Sequence, residues 1–380
     1  MRKISESTFV INANGFADGP SQALRDYLIK SKAKRVITIS HPLGAESAGV
    51  HIVSDFQAGE STEKKIKLFN KPPYTFLFDL FIPLKLPEST LWFGFNNLAC
   101  VRGLIRRKFG RTDTVAYWAV DFVPERFGKS IVSSAYKKLD KFTAKHADAR
   151  IELSPVGVTK RNEYLGLNAE TIAPTQVVPM GAWLDRTAKV SKLHWGDHRI
   201  VFLGHLVPRQ GVGVLLEALK ILKKENISVC VDIVGGGPLE KDLREQSKDL
   251  GLQKIVTFHG FVKEHKDVED ILANGTFAVA PYVEADTNFV QFSDAGKLKA
   301  YLGAYLPIIL TDVPNNAQDL QKAGAALITQ SGPAALAASL KQWLGSESDW
   351  VKAHLAAKKV AQEFDWNNIL SSALHKLDLE

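Results

Sequence analysis

The chain has 380 residues, enough for two domains of ordinary size, each with its own core. Its 45% hydrophobic and 23% charged residues are the balance of a water-soluble globular protein, and no stretch of about 18 apolar residues exists to span a membrane. Charge is uneven: residues 1–190 carry 28 Lys/Arg against 18 Asp/Glu and residues 191–380 carry 20 against 23, so the first half is expected to meet something anionic. Zinc spacings, RNA-binding aromatic signatures and helix-turn-helix patterns are missing, which argues against nucleic acid. The opening MRKISESTFVINANG has no apolar core of the signal-peptide kind. Cys100 and Cys230 sit in apolar surroundings and are expected to be buried thiols in a reducing cytoplasm.

Residues 8–12 read as the first strand. Gly15, Asp18 and Gly19 lie in the loop after it, before a helix that starts near Ser21. Such a loop can hold a phosphate or hydroxyls, although GFADGP is not the dinucleotide fingerprint and also suits a plain βα turn. A second strand, 35–40, ends at His41, where a side chain can touch substrate or serve the structure. Residues 72–95 are strongly apolar but broken by prolines. Phe76, Phe78, Leu80 and Phe81 are therefore expected either in the core or in a loop dipping into lipid. Arg102, Arg106, Arg107, Lys108 and Arg111 form a basic run on the helix after Asn97, suited to an anionic membrane or to a solvated face. The strand 114–120 ends at Asp121, a carboxylate just past a strand end, which is a usual place for chemistry. A further strand and helix start at 149–155, residues 176–181 close the half, and the polar, aperiodic 182–197 read as a linker.

The second half alternates strands and helices more cleanly, which predicts a parallel sheet covered on both faces. Strand 199–204 leads into the loop from His205 to Gly211 and the amphipathic helix 212–223. Strand 227–234 runs into Gly235, Gly236, Gly237 and Pro238, and a helix follows. Strand 255–262 contains Phe261, helix 268–272 comes next, and a buried run leads through Pro281 to Tyr282. After a polar loop, Ser293, Asp294, Ala295 and Gly296 read as a helix start, with Ser293 or Asp294 as the cap. Leu298, Tyr301, Leu302 and Tyr305 then recur at helical spacing, until Pro307 opens another strand. Lys297 falls in the first turn, where the helix dipole disfavours a cation. An anion such as a diphosphate, held between its ammonium and the free backbone N–H groups, would explain it; a solvated lysine is the other reading.

Taken in order, these blocks resemble the two-domain GT-B glycosyltransferases of the family 4 group. FLGHLVPRQGVGVLLEAL, from Phe202, resembles the family's G-R-L-x-x-x-K-G-x-x-x-L-L-x-A block. VGGGPL resembles its glycine-rich turn, and Phe258 to Val262 with Tyr282 its F-x-G-F-V and P-Y. The stretch from Ser293 to Thr311 resembles S-D-P-x-K-L-x-E-Y-L-A-x-G-x-P-V-I-x-T, and Val178 to Gly181 resembles the V-P-N-G before the linker. The resemblance implies two Rossmann-like, doubly wound parallel-sheet domains facing a cleft: 1–190 for the acceptor, 191–362 for the donor, and 363–380 as a helix crossing back to the first domain.

The resemblance also implies a sugar transfer from a nucleotide-sugar, such as a UDP- or GDP-sugar, to a glycan or lipid-diphosphate-linked acceptor in cell-surface polysaccharide synthesis. Transfer would retain the anomeric configuration and need neither metal nor cofactor. The protein would be cytoplasmic and rest on the inner face of the membrane. Gly204, His205, Arg209, Gln210, Gly235, Gly236, Gly237, Pro238, Phe261, Tyr282, Ser293, Asp294, Ala295, Gly296 and Lys297 would receive the donor. Asp121, His41 and Glu284 are the candidates for chemistry, and Gly15, Asp18 and Gly19 lie on the acceptor side. Departures are specific. The block's Arg and Lys fall on His205 and Gln210, with Arg209 adjoining. The E-x7-E glutamates fall on Phe292 and Ala300. A decayed scaffold that binds a glycan or a partner protein is therefore the alternative. A sugar-nucleotide epimerase lacks a matching carboxylate set, and a dehydrogenase lacks its dinucleotide fingerprint.

Overall fold

The computed structural model describes residues 1–16, 19–42, 49–69, 74–120, 122–124, 127–187, 195–285 and 289–380. The chain divides into two compact units, Met1–Pro179 with Asn367–Glu380, and Met180–Trp366.

The first unit runs β1 (Thr8–Asn14), α1 (Pro20–Lys30), β2 (Arg35–His41), β3 (Val50–Gln57), β4 (Glu60–Lys67), α2 (Tyr74–Phe81), β5 (Ser89–Gly94), α3 (Asn97–Lys108), β6 (Thr112–Ala119), α4 (Ile131–His146), β7 (Ala149–Glu152), α5 (Pro155–Leu165) and β8 (Thr175–Val177). These strands form a sheet in the order β4-β3-β2-β1-β5-β6-β7-β8. Pairing is parallel from β2 through β8, and the interior strands are apolar on both faces because helices cover both sides. Val10, Ile37, Ile39, Trp92, Val115 and Tyr117 form a core cluster with Cys100 and Leu104 of α3. The antiparallel hairpin β3–β4 extends this parallel-dominated sheet at its edge. β4, ESTEKKIK, is exposed along nearly its whole length, so it offers no apolar alternation for a pattern reading to find. Ala58 and Gly59 turn the hairpin with φ of 53° and 85°, the two left-handed residues that a type I′ turn requires.

The second unit runs α6 (Leu184–Thr187), β9 (Arg199–Leu203), α7 (Val212–Lys224), β10 (Cys230–Val234), α8 (Glu240–Asp249), β11 (Val256–Gly260), α9 (His265–Ala273), β12 (Phe277–Ala280), α10 (Gly296–Gly303), β13 (Ile308–Leu310), α11 (Ala317–Lys322), β14 (Ala326–Ile328), α12 (Pro333–Leu344) and α13 (Glu347–Glu363). Its sheet is wholly parallel, in the order β11-β10-β9-β12-β13-β14. Alternation sorts the strands' side chains between two cores. Ile200, Phe202, Phe277 and Val279 pack with α7 and α12, while Val201, Ala278 and Ala280 pack with α10 and α13. The chain leaves β9 for β10 on one side, and β12 lies on the other. The carboxyl ends of β9 and β12 therefore flank a topological switch point, where open α/β sheets take ligands.

α14 (Trp366–His375) follows. Within the first unit, Gln176 Nε2 donates to the Ala373 carbonyl at 3.3 Å, and Arg2 bridges to Leu379. Two expectations are corrected. Cys230 is exposed, because it opens β10 at the rim of the sheet, and only Cys100 is buried. Of the two readings of Phe81, the core one does not hold: it closes α2 with 62% exposure, and Ile82 is the buried residue.

Candidate functional site

The switch point of the second unit is built by α10. Tyr301 is fully buried, and its hydroxyl accepts from Leu203 N at 2.7 Å and reaches the Val279 carbonyl at 3.1 Å. This ties α10 to the ends of β9 and β12. One turn earlier on the same face, Lys297 is thereby held over those strand ends. Its ammonium lies 4.5 Å from the Phe202 ring centroid and 4.1 Å from that of Tyr282, and it donates to Gln210 Oε1 at 2.6 Å. Set among these groups it has lost much of its hydration, and desolvation draws its pKa well below the ordinary lysine value. No carboxylate pairs with it among the described residues.

Glycines bring backbone to the same place. Gly235 has φ 132°, and a Cβ there would lie 2.0 Å from the Gly204 carbonyl oxygen. A Cβ on Gly211, φ 73°, would lie 1.7 Å from the Pro281 carbonyl oxygen. The loops after β9, β10 and β12 thus touch through bare backbone. Gly237 also packs closely, a Cβ there lying 2.6 Å from the Leu206 carbonyl oxygen, while Gly236 adjoins Phe261, which is 80% exposed. His205, Arg209 and Pro238 are exposed, and Arg209's charge is felt at the buried Tyr282 hydroxyl. A cavity of about 250 Å³ lies beside Tyr282, lined by Pro281, Glu284, Thr311, Gln330 and Leu336 among others.

The helix start differs from the expected cap. α10 begins at Gly296 with Ala295 before it and no side-chain cap, and it ends at Gly303, so Tyr305 lies beyond it with φ 57°. Asp294 is turned inward instead. Its Oδ2 accepts from Met180 N at 2.8 Å, and its Oδ1 accepts from Asn316 Nδ2 at 3.1 Å and faces Lys299 Nζ at 3.2 Å. Burial raises the Asp294 pKa and lowers that of Lys299. Ser293 is partly buried, and its carbonyl accepts from Asn315. Gly296 faces Met180, with room for a Cβ only at 3.1 Å from Cε.

In the first unit a second polar cluster is buried. His41, the last residue of β2, is 0% exposed, and its Nδ1 lies 2.8 Å from His51 Nδ1 on β3 and 3.3 Å from Asp79 Oδ1 on α2. Asn14 Nδ2 donates to Asp79 Oδ2 at 2.9 Å, and Asn96 donates to Asn14. Burial, with His51 and Arg102 nearby, pushes the His41 pKa down to about 3. Burial pushes Asp79 up to about 6 against the opposing effects of Asn14 and Arg102. His41 is therefore neutral at physiological pH, and the 3.3 Å approach to Asp79 is not an ion pair.

Residues 197–346 match the model of the family described as Glycosyl transferases group 1. The structure of HepE from Anabaena, in complex with UDP and glucose, is similar with a TM-score of 0.68 and 17% identity, covering 98% of this chain and 99% of that one. The fold is GT-B. Among curated relatives, the amylovoran biosynthesis glycosyltransferase AmsK of Erwinia amylovora is 27% identical over 169 residues, 44% of this chain and 41% of that protein. The GDP-mannose-dependent alpha-(1-6)-phosphatidylinositol monomannoside mannosyltransferase of Mycolicibacterium smegmatis is 27% identical over 181 residues, 45% of this chain and 44% of that protein. The matches span about half the length of these curated relatives or less.

The GT-B second unit brings Gly204, Gln210, Gly235, Tyr282 and Lys297 to one place. Glu284 is exposed and lines the cavity. In the first unit, Gly15 takes φ 92° and its N–H donates to the His41 carbonyl at 2.8 Å, while Gly19 precedes α1 in extended conformation. Asp18 and Asp121 lie outside the described residues. His41 offers substrate no accessible atom, and its place in a buried trio is its structural setting.

The basic run after Asn97 is divided between buried and exposed positions, with Lys108 and Arg111 exposed. Arg102 donates to the Ile82 carbonyl, Arg106 to that of Pro87, Arg107 pairs with Asp148, and Arg111 pairs with Glu88. No helix among the described residues is long and apolar enough to cross a membrane. Sequence reasoning missed His51 and Asp79. Asp79 was visible as a lone carboxylate in the apolar run FLFDLF, a residue type that is rarely buried unpartnered.

Proposed function

We propose that the chain is a glycosyltransferase that moves a sugar from a nucleotide-sugar, a UDP- or GDP-sugar, to a glycan or lipid-linked acceptor in polysaccharide or glycolipid synthesis. The observation that carries this is Lys297, a desolvated ammonium with no carboxylate partner in the described structure, held over the switch point of a GT-B sheet. A donor diphosphate supplies the missing counter-charge. Arg209 adds a second cation, and the free N–H groups at the start of α10 and the bare backbone at Gly204 and Gly235 let the phosphates approach closely. Phe261 offers an exposed ring face for a base.

Neutralised in this way, the nucleoside diphosphate leaves without a metal. Retention follows if a donor phosphate oxygen takes the acceptor proton, which makes a protein base unnecessary. The cavity beside Tyr282 falls below the roughly 300 Å³ of a typical ligand pocket, so the donor would extend across the open strand ends rather than fit inside it.

The test is thermal melting without metal against UDP, GDP and their sugars, for the unaltered protein and Lys297→Ala. Selective stabilisation that the variant loses supports the donor site. No shift with any nucleotide overturns it. The alternative of a scaffold that binds without turnover draws on Phe292 and Ala300 at the E-x7-E positions. Nucleotide binding without sugar release or transfer, across acceptors, would favour it.

A further inference from the structure

The buried trio of the first unit has a contact pattern that its own protons satisfy poorly. A neutral imidazole nitrogen carries either one hydrogen or one in-plane lone pair. If His41 Nδ1 carries the hydrogen, it serves His51 and Asp79 together only as a shared three-centre bond, which leaves each arm weak. If it carries the lone pair, it accepts from His51, and the Asp79 carboxylate at 3.3 Å then faces another lone pair. Charging His41 would supply no second hydrogen at that atom, and full burial opposes the charge. A cation centred among the three atoms removes the conflict, because each then contributes a lone pair to it.

We propose that His41, His51 and Asp79 form a binding site for a divalent transition metal of the zinc class, which fastens the β3–β4 hairpin and α2 to the end of β2. The three ligand atoms lie within 4.8 Å of one another. Ser40 pairs with Ile52, so His41 and His51 come next across the two strands, and their rings stand nearly perpendicular at 82°. Two imidazoles and one carboxylate are a zinc-type donor set rather than one for magnesium or calcium. Zinc–nitrogen bonds of about 2.0 Å in a tetrahedron set ligand atoms roughly 3.3 Å apart. The His41–Asp79 spacing already has that value, and the 2.8 Å His41–His51 spacing needs to open by about half an ångström.

The surroundings orient the carboxylate as a ligand. Asn14 holds Oδ2 and is itself held by Asn96, leaving Oδ1 turned to His41. Such outer partners fix the geometry of metal ligands. Arg102 is the opposing feature, since its buried charge repels a cation. A water would complete four-coordination.

The experiment strips metal from the full chain with a chelator, adds zinc chloride, removes the excess by dialysis and counts bound metal. The expected result is one equivalent per chain, lost in His51→Gln and in Asp79→Asn, with Asn14→Ala weakening zinc binding by about 10–100-fold. Circular dichroism checks that the variants fold. If they do not, cobalt titration of the unaltered protein decides. One equivalent should give the strong visible absorption of a four-coordinate site and be displaced by zinc. Absence of stoichiometric zinc, retention of it by the folded variants, or a weak six-coordinate cobalt spectrum would each overturn the site. None of these readouts depends on nucleotide binding.

Discussion

Lys297 Nζ donates to Gln210 Oε1 across 2.6 Å, so a neutral amide stands where the resembled family block carries a lysine. The arrangement leaves one ammonium over the strand ends, faced by an amide oxygen and two aromatic rings instead of a carboxylate. An amide and ring faces compensate only part of the lost hydration. The second unit therefore holds a lysine whose charged form is poorly compensated and would be favoured by an anion.

Replacing Lys297 with Met should raise the stability of the ligand-free protein while ending its response to nucleotides. The methionine keeps the aromatic contacts and removes the desolvated charge. The gain expected is on the order of 1 kcal/mol, roughly 2–4 °C for a unit of this size. Calorimetry with and without UDP or GDP checks both halves. A destabilised variant that keeps its nucleotide shift would contradict the assignment.

The same charge sets a pH dependence. The Lys297 pKa is depressed in the folded protein, so the unfolded chain holds more protons between the depressed value and the ordinary one. Stability from this group should therefore rise with pH through that window, and the cost is complete below it. A bound diphosphate favours the protonated lysine, so nucleotide binding should take up a proton and weaken as pH rises. Titration calorimetry in buffers of differing ionisation enthalpy measures this uptake, and its disappearance in Lys297→Met assigns it.

The course of the sheets and the placing of Lys297 were readable because buried strands and amphipathic helices leave periodic traces. The run TFAVAPY and the spacing of Leu298, Tyr301 and Leu302 carry that signal directly. The hairpin was hidden because β4 has almost no buried face. Asp294 looked like a helix cap, and nothing local reveals that it is turned to Met180, Asn316 and Lys299. His51 left no such trace, and although Asp79 stands out in FLFDLF, only the packing of β3 and α2 against β2 makes the two a group with His41.

Gln210→Lys tests why an amide occupies that position. A second ammonium would lie where Oε1 now accepts from Lys297, and the two charges would repel in a poorly hydrated setting. The ligand-free protein should lose about 1–2 kcal/mol. Nucleoside diphosphates should bind more tightly, because two cations then face the phosphates. Denaturant melts and binding titrations should move in opposite directions.

Gly235→Ala probes the contact between the β9 and β10 loops. The backbone already has φ 132°, and the new methyl would sit 2.0 Å from the Gly204 carbonyl oxygen, so one loop must shift. A cost of about 3 kcal/mol in urea unfolding is expected, with loss of nucleotide affinity in whatever remains folded. Gly196→Ala, where nothing lies within 4 Å of the added carbon, is the matched control.

Asp294 and Lys299 offer a double-mutant cycle with a definite sign. Both side chains are almost wholly buried, 4% and 1% exposed, and the ammonium also lies 3.4 Å from the Phe364 ring centroid. Asp294→Ala would strand that ammonium and leave Met180 N without its acceptor, at a cost of about 3–5 kcal/mol. Lys299→Met alone should cost less, since Met180 and Asn316 still satisfy the carboxylate. The double variant should recover much of the Asp294→Ala loss, because no buried charge remains. Additive losses in urea unfolding would mean that the two groups are not coupled. Recovery would show that the residue read as a helix cap serves instead as the counter-ion of Lys299, leaving Lys297 as the lysine of α10 that is free to meet a diphosphate.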